Sequence, residues 1–372
     1  MRFYFSAGES SGDEYAAKLM EEMRKLSPKV AFRFEGVGGT QMKRAGAYMV
    51  ADSSKWGAIG VASALKVAPR VIRGGIKAKK LLQRGEPGVF IPIDFGFFNV
   101  RLAKAARAAG WSVLYFMPPG SWRRRAQGDG LADITDEIVT PFSWSAALLS
   151  TQGARAHWYG HPMKQIIEQM NIPDEHDEST SIAILPGSRV QEIRMNIGAI
   201  AEAVEKVSPN FTLEIAVASS ISPDYMRQLW KRHSKSKHKV VFTQGNTIQV
   251  LKRARAGIIC SGTATLQAAL CRCPHVCIYR LSWMSVMEAR IVGLRPEFIA
   301  LPNVILRKKV VPELIHKSAS PKAIAIELLK IIANGPERDA QLDGFYEMES
   351  ELGGSDAITK TASLAMKLML SP

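Results

Sequence analysis

Residues 2–13 read RFYFSAGESSGD, in which a largely apolar run leads directly into a turn rich in glycine and serine. The run Arg2–Ala7 predicts a buried β-strand, and the apolar periodicity of Asp13–Leu26 predicts a helix behind the turn. A strand that passes through a short glycine turn into a helix begins a βαβ unit, and such units build parallel sheets. Open sheets of this kind bind ligands outside the carboxyl ends of their strands, so the turns after strands are the expected ligand sites.

The same alternation continues along the chain and restarts after residue 180. Further strand candidates are Ala31–Glu35, Val89–Asp94 and Ser112–Met117 in the first half, and Ile182–Leu185, Thr212–Val217, Val240–Thr243 and Ile258–Cys260 in the second. The polar, acidic, proline-containing segment 172–180 predicts an interdomain linker, and two helical patterns follow Pro336. The sequence therefore predicts two similar α/β halves with a cleft between them.

The chain is strongly basic, because 49 Lys and Arg against 34 Asp and Glu in 372 residues give a net charge of +15. This excess predicts an anionic partner: a nucleic acid, a phosphorylated substrate or an acidic lipid surface. No helix-turn-helix pattern or aromatic–basic stacking motif favours nucleic acid. Four cysteines are no disulfide framework, and no segment has the character of a secretory signal or a membrane span. We therefore expect a protein of the cytosol or of the cytosolic face of a membrane.

Four glycine-containing loops follow strand candidates and precede helical patterns. They are residues 7–13, 36–39, 185–189 and 261–265. Glycine lets backbone amides approach a ligand, and the start of a helix offers free N–H groups and the positive end of its dipole. Each loop alone is equally well explained as an ordinary capped turn, and none has the spacing of a P-loop or of a G-x-G-x-x-G motif. Together they favour a phosphate-bearing ligand held between the two halves.

Three further positions are chemically suggestive. Asp94 ends an apolar strand among aromatic residues, a setting that raises a carboxyl pKa and suits a general base, although a helix N-cap explains it as well. His161 lies near the predicted domain boundary and is either a site residue or a packed, hydrogen-bonded histidine. The segment Cys271–Cys277 has a cysteine spacing unlike that of zinc sites and predicts a buried strand without a metal.

The loops taken together resemble the lipid-A-disaccharide synthase family. The matching segments, in order along the chain, are residues 7–13, 36–39, 93–94 with 98–99, 160–162, 185–189 with Glu192, 261–266, 279–280, 301–303 and 311–314. The resemblance implies a GT-B architecture of two Rossmann-like domains, residues 1–170 and 171–337, with C-terminal helices in 338–372 returning to the first. It also implies an inverting transfer of 2,3-diacylglucosamine from UDP to the 6-hydroxyl of 2,3-diacylglucosamine 1-phosphate, without a metal or other cofactor.

The resemblance also implies roles for individual residues. Asp94 would be the general base, with Glu9 and Ser11 beside it on the acceptor side. The substrate-binding residues would be Gly8, Asn99, His161 and Asn303. The UDP and its phosphates would be held by Gly187, Ser188, Arg189, Ser261, Gly262, Thr263, Ala264, Thr265 and Gln267.

The chain departs from the family pattern at four places. Gln267 stands where the family has a glutamate, which in GT-B enzymes commonly binds the donor ribose. Arg123–Arg125 includes an arginine in place of a tryptophan. A proline and an acid expected after the Ile-Asp pair are replaced at Gly96 and Phe97, and Ser63 replaces an acid. These changes leave two alternatives open: a non-catalytic or altered-substrate paralogue that binds a UDP-sugar, and another GT-B enzyme such as a UDP-sugar 2-epimerase.

The segment 54–84 predicts a peripheral membrane contact. It contains basic residues and no acid, interleaved with apolar ones, which is typical of an amphipathic surface on anionic lipid. The contact residues are predicted to be Lys66, Arg70, Arg73, Lys77 and Lys80. Pro69 and Gly74–Gly75 predict two short helices rather than one, and a core helix with a solvated basic face is the alternative. The expected location is the inner face of the cytoplasmic membrane.

Overall fold

The computed structural model describes residues 1–54, 56, 61–124, 127–128, 130–176, 179–280 and 297–370, apart from the side chains of 61–64 and 66. The described residues form two compact units: the first holds the chain up to Ile166 and again from Leu352, and the second runs Ile167–Glu351. The division between the units falls four residues before the predicted one at 170. Each unit is an α/β layer structure.

The first unit is built on seven parallel strands in the order β3-β2-β1-β4-β5-β6-β7. Its elements are β1 (Arg2–Ala7), α1 (Ser10–Leu26), β2 (Arg33–Gly38), α2 (Thr40–Arg44), β3 (Tyr48–Asp52), α3 (Val61–Leu82), β4 (Val89–Ile93), α4 (Gly96–Ala108), β5 (Ser112–Phe116), β6 (Glu137–Val139), α5 (Ser143–Thr151), β7 (Ala156–His157), most of α6 (Pro162–Met170) and the last helix, α14 (Ala357–Leu370). The strand order turns back between β1 and β4, where Ala7 lies beside Ile93. The loops after these two strands therefore diverge and open the sheet edge to a ligand.

The second unit repeats this plan with six parallel strands in the order β10-β9-β8-β11-β12-β13. Its elements are β8 (Ser181–Leu185), α7 (Val190–Val204), β9 (Thr212–Val217), α8 (Pro223–His233), β10 (Val240–Gln244), α9 (Thr247–Arg253), β11 (Ala256–Cys260), α10 (Thr263–Leu270), β12 (His275–Tyr279), α11 (Leu301–Leu306), β13 (Glu313–Ile315), α12 (Pro321–Ile332) and α13 (Pro336–Glu351). Here the order turns back between β8 and β11, with Leu185 beside Ile259. Both central strands are fully buried and rich in isoleucine, as expected for parallel strands covered on two faces.

The two C-terminal helices divide between the units, whereas the sequence predicted that both return to the first. Helix α13 stays with the second unit, because Gln341 accepts a hydrogen bond (2.9 Å) from the backbone N–H of His275 and Glu349 pairs with Arg272. Helix α14 packs along α1 in the first unit. Its N-terminus is capped from α6 by Gln165, whose side-chain oxygen accepts the N–H of Ile358 at 2.6 Å.

Helix α3 is one helix of 22 residues, so the predicted break into two segments is wrong. Its two central glycines serve packing: a Cβ on Gly74 would lie 2.4 Å from the Trp56 ring, and one on Gly75 would lie 3.1 Å from Phe98. Pro69 is accommodated inside the helix, where it removes one backbone donor. The glycines therefore allow the helix to approach the aromatic layer beneath it.

The cysteine-rich segment is core, as the sequence predicted. All four cysteines are free and buried, and the His275 ring stacks on Phe345 with centroids 5.6 Å apart. Within the described ranges, no group of three or more His, Cys, Asp or Glu side chains could hold a metal ion. Over the same ranges, no helix combines the length and the apolar character needed to cross a bilayer.

Candidate active site

The first cluster of predicted residues lies at the switch point of the first sheet. Gly8 and Glu9 follow β1, and Asp94 follows β4 directly beside it. Gly8 is required sterically, because a Cβ there would lie 2.1 Å from the Phe95 ring. The glycine therefore lets the two loops approach each other, and its contact with substrate stays a prediction.

Asp94 sits in an unusual backbone turn. Its φ of 46° and that of Phe95, 49°, are both in the left-handed region, which non-glycine residues adopt at a cost of about 1–3 kcal/mol each. Two side chains hold the turn by donating to the Asp94 carbonyl: Asn99 Nδ2 and Tyr115 Oη, each at 2.9 Å. Two strained residues in succession at the end of a strand indicate a functional constraint on the carboxylate.

Asn99 is a positioning residue. It is fully buried, and besides the Asp94 carbonyl its Nδ2 lies within hydrogen-bond distance of the carbonyls of Ser6 (2.9 Å) and Ile93 (3.1 Å). Its Oδ1 accepts from the Ser6 hydroxyl at 2.6 Å. Because the whole amide is used inside the protein, the predicted substrate contact of Asn99 is wrong, and the residue instead joins β1 to the turn that carries Asp94.

The Asp94 carboxyl is poised for proton transfer. Desolvation by the surrounding protein, followed by the negative charge of Glu9, raises its pKa to about 6, while the backbone N–H of Phe95 opposes the shift. The residue as a whole is exposed, so water attenuates the effect of desolvation. A carboxylate that is accessible, held in a fixed turn and more basic than usual has the properties of a general base.

Glu9 and Ser11 lie at the start of α1, beside this turn. Glu9 is the N-cap residue and is half-buried, and its carbonyl accepts the N–H of Asp13 at 3.0 Å. Ser11 is partly exposed in the first turn. Asp13, which the sequence analysis did not single out, is buried and accepts the backbone N–H of Gly39 (2.7 Å) and those of Gln41 and Met42. It therefore closes the glycine loop 36–39 with its own carboxylate.

His161 is a packed, neutral histidine, the alternative that the sequence left open. It is 3% exposed, and burial lowers its pKa to about 3. Its Nδ1 accepts the N–H of Met163 (3.1 Å) at the start of α6, and its own N–H donates to the Leu352 carbonyl (3.0 Å). These contacts tie α6 to the returning C-terminal segment, and they do not support the predicted substrate contact.

In the second unit, the loop after β8 is closed by a buried carboxylate. Glu192 accepts the backbone N–H groups of Ser188 (2.9 Å) and Arg189 (3.2 Å), and its other oxygen pairs with the Arg189 guanidinium at 2.8 Å. Gly187, at φ 132°, is required there because a Cβ would lie 2.6 Å from that of Glu192. The Ser188 and Arg189 amides, which were expected to cradle a phosphate, are thus occupied, and the Arg189 side chain is the charged group that this loop offers to a ligand.

The loop after β11 is arranged differently, because it leads into an open helix start. Gly262 adopts φ 140° and is exposed, and α10 begins at Thr263. The first N–H groups of a helix have no intrahelical partner, so Thr263 and Ala264 present donors and the positive dipole end. Ser261 donates to the Ile299 carbonyl at 2.9 Å, and buried Thr265 donates to the Gly262 carbonyl at 2.8 Å, which fixes the loop. Gln267 lies on α10 one turn after Thr263 and is partly exposed.

Two buried asparagines brace the second unit as Asn99 braces the first. Asn196, missed by the sequence analysis, donates to the Pro186 carbonyl (2.9 Å) and accepts the N–H of Arg280 (3.2 Å). Asn303 is fully buried, and it donates to Glu313 and accepts the N–H of Val311, both at 2.8 Å. The predicted substrate contact of Asn303 is therefore wrong, since every polar atom of its side chain is used to hold the 299–313 segment.

Two of the departures from the family pattern lie in aromatic–arginine pairs. The Arg124 guanidinium lies 3.7 Å from the centroid of the Trp144 ring, which stacks on Phe142. Phe97 is 76% exposed, three residues after Asp94, with Arg101 over its ring at 4.1 Å. Arg125 and the side chains of Ser63 and Lys66 lie outside the described residues.

Two Rossmann-like units, each with its candidate ligand loops at the switch point of a doubly wound parallel sheet, define a protein of the GT-B fold. Solved structures have this architecture at low sequence identity. A putative UDP-N-acetylglucosamine 2-epimerase from Listeria monocytogenes superposes with a TM-score of 0.66 at 10% identity, covering 98% of this chain and 95% of that one. CalG4, the calicheamicin glycosyltransferase, superposes with a TM-score of 0.58 at 12% identity over 100% of both chains.

The sequence relatives are more specific than the fold. A family model described as lipid-A-disaccharide synthetase matches residues 3–366. The lipid-A-disaccharide synthase of Koribacter versatilis (strain Ellin345) is 30% identical over 382 residues, covering 100% of this chain and 98% of that protein. The chain belongs to the lipid-A-disaccharide synthetase family and is a glycosyltransferase, as the resemblance predicted.

Proposed function

We propose that this protein transfers 2,3-diacylglucosamine from UDP to the 6-hydroxyl of 2,3-diacylglucosamine 1-phosphate. The products are lipid A disaccharide 1-phosphate and UDP. The observation that carries the proposal beyond family membership is Asp94, a solvent-accessible carboxylate of raised pKa held in a strained turn at the switch point of the first sheet. A base of this kind is what a hydroxyl nucleophile requires.

The reaction proceeds by one displacement. Asp94 takes the proton of the acceptor 6-hydroxyl as its oxygen attacks the anomeric carbon of the donor, and the bond from that carbon to the UDP oxygen breaks. The single displacement inverts the anomeric centre. Glu9 keeps Asp94 basic through its charge, and Asn99 keeps the carboxylate in place through the backbone.

The leaving UDP carries the developing negative charge. We assign its diphosphate to the start of α10 at Gly262–Ala264, where free N–H groups and the helix dipole meet. Arg189 contributes its guanidinium from the neighbouring loop, held by Glu192. Gln267 binds the donor ribose through its neutral amide. The protein's own dipoles then supply the stabilisation that a metal gives in other transferases.

A product assay tests the function directly. Purified protein with UDP-2,3-diacylglucosamine and the acceptor is expected to yield UDP and a disaccharide 1-phosphate in equal amounts, by chromatography and mass spectrometry. The matched control is an acceptor that lacks only the 6-hydroxyl, with which neither product forms. UDP-sugar converted to a C2 epimer without acceptor would instead support a 2-epimerase, and bound donor that never turns over would support a non-catalytic paralogue.

We further propose that α3 lies on an anionic membrane surface, from which both acylated substrates are drawn. Leu65, Ile72 and Ile76 are 51–69% exposed. Ile72 lies about two turns after Leu65 and Ile76 about three turns after it, so the three side chains form one apolar stripe. The exposed basic residues Arg73, Lys77 and Lys80 lie along one side of the stripe, and Arg70 lies further round the helix toward Gly74. An exposed apolar stripe with basic flanks is the pattern of interfacial helices, and each basic residue near such a surface contributes about 1 kcal/mol.

Vesicle binding tests this contact. Arg73→Glu, Lys77→Glu and Lys80→Glu together are expected to release the protein from phosphatidylglycerol vesicles at low salt, while binding to neutral vesicles stays low throughout. The matched control reverses Lys231, Arg232 and Lys235, which are exposed at the end of α8 in the second unit. Equal co-sedimentation of the two triple variants and the wild type would rule out a membrane role for this charge.

A further inference from the structure

The basic side of α3 borders a cavity that neither the fold nor the family explains. Its volume is about 300 Å³, and it is lined by Ala51, Asp52, Trp56, Arg70, Arg73, Gly74 and Lys77. The cavity lies wholly within the first unit, between the end of β3 and the middle of α3. It is therefore a site formed by one compact unit.

The charges of the lining are unbalanced. Arg70, Arg73 and Lys77 line the cavity together, and among the described residues no carboxylate lies within ion-pair distance of any of them. Among the described residues of the lining, Asp52 is the one acid, and its Oδ1 accepts the backbone N–H of Ser54 at 2.9 Å. Three cations against one carboxylate leave a surplus of two positive charges, which matches a phosphomonoester dianion better than a phosphodiester monoanion.

Trp56 connects the cavity to the candidate active site. It is 4% exposed, lines the cavity, and packs against Phe98 (centroids 5.2 Å apart) and Phe95 (6.1 Å). Phe95 follows Asp94 directly and shares its left-handed turn. One aromatic ring thus separates the cavity from the turn that carries the proposed base.

The helix geometry connects the cavity to the apolar stripe as well. Gly74, which faces Trp56, is two residues from both Ile72 and Ile76 and so lies on the opposite side of α3 from the stripe. Arg73 and Lys77 come between the two sides. The basic residues of the proposed lipid contact therefore extend round the helix from the stripe to the cavity lining.

We propose that this cavity binds the phosphate of the sugar-phosphate acceptor. The two arginines and Lys77 hold the phosphate oxygens, Asp52 accepts a hydrogen bond from the sugar, and the acceptor is held with its far hydroxyl toward the Asp94 turn. The proposal rests on the proposed function for the identity of the acceptor, but the phosphate chemistry of the site stands on the lining alone.

Calorimetry with water-soluble probes tests the site without acyl chains or turnover. The wild type is expected to bind glucosamine 1-phosphate more tightly than glucosamine, and the double variant Arg73→Gln, Lys77→Gln is expected to lose at least about tenfold of that affinity. The matched control, Lys79→Gln with Arg84→Gln, removes the same charge from exposed residues of the same segment outside the lining and is expected to stay within about twofold. Equal affinity of the wild type for the two probes, or equal affinity of the two double variants, overturns the proposal.

Two further measurements separate the sources of phosphate. If Arg73→Gln, Lys77→Gln keeps glucosamine 1-phosphate binding but leaves phosphatidylglycerol vesicles, these residues serve the membrane contact alone and the acceptor assignment is overturned. In turnover, the variant is expected to raise the acceptor KM with little change in kcat and none in the donor KM. A wild type that makes no disaccharide yet binds glucosamine 1-phosphate through these residues contradicts the proposed function and supports the cavity site.

Discussion

Replacing Asn99 with alanine removes the side chain that joins β1 to the Asp94 turn. The change deletes bonds to the carbonyls of Ser6, Ile93 and Asp94 and the bond from the Ser6 hydroxyl. At about 1 kcal/mol net for each, the first unit is expected to lose about 3–4 kcal/mol. For a unit of this size that corresponds to a fall of about 10 °C in its unfolding midpoint.

The kinetic consequence separates positioning from substrate contact. Without Asn99 the left-handed turn relaxes, and a displacement of the carboxylate by about 1 Å costs on the order of 10²-fold in rate. We expect Asn99→Ala to lower kcat by roughly that factor, with an acceptor KM within about threefold of wild type, in UDP-release assays well below the unfolding midpoint. Asn210→Ala, at an exposed loop position, is the control and is expected to change neither value. A raised acceptor KM with unchanged kcat would contradict a positioning role and restore the substrate contact that the sequence predicted for Asn99.

Three further outcomes are expected. Because the pKa of Asp94 is raised to about 6 and the ionised form is the base, kcat/KM is expected to fall about tenfold per pH unit below 6. Glu9→Gln removes a negative charge that raises this pKa, so the acid limb of the pH–rate profile is expected to move to lower pH. An acid limb that does not move would contradict the electrostatic coupling of Glu9 to Asp94. Gln267→Glu is expected to tighten UDP binding in calorimetry, since a charge-assisted bond to a ribose hydroxyl is roughly twice as strong as a neutral one, and unchanged or weaker affinity would argue against a ribose contact. Turnover is expected to be the same after dialysis against EDTA as before, and loss of activity restored by a divalent cation would show that the reaction uses a metal.

The strands of the fold were predictable where an apolar run and a turn coincide. Arg2–Ala7 and Thr212–Val217 have the predicted bounds, because each run is buried throughout after its first residue and ends at a residue suited to a turn. β2 occupies Arg33–Gly38 rather than Ala31–Glu35, because Gly36 and Gly38 continue the strand where the sequence suggested its end. A Cβ on Gly36 would lie 1.9 Å from the Phe5 carbonyl, so this glycine permits strand pairing instead of starting a turn.

The polar residues of the site were harder to interpret, because a sequence does not reveal which partners they will find. Asn99 and Asn303 match the family's motifs, but the contacts that define their roles lie at Ser6, far away in the sequence, and at Glu313. The Ser188–Arg189 amides illustrate the same difficulty, since Glu192, which occupies them, lies within the helix that follows. Asp94 was predictable because its signal, an acid that ends an apolar strand, is local.

UDP release in a single turnover, compared between the wild type and Asp94→Asn, tests the role of Asp94 as the base. We expect a fall of roughly 10²–10⁴-fold, the usual contribution of a general base, with UDP affinity unchanged in calorimetry. Because the ionised carboxylate is disfavoured in the folded protein, the unfolding midpoint of the variant at pH 8 is expected to be no lower than that of the wild type. Turnover within a few-fold of wild type, in a variant that keeps its unfolding midpoint, would contradict the assignment of Asp94 as the base.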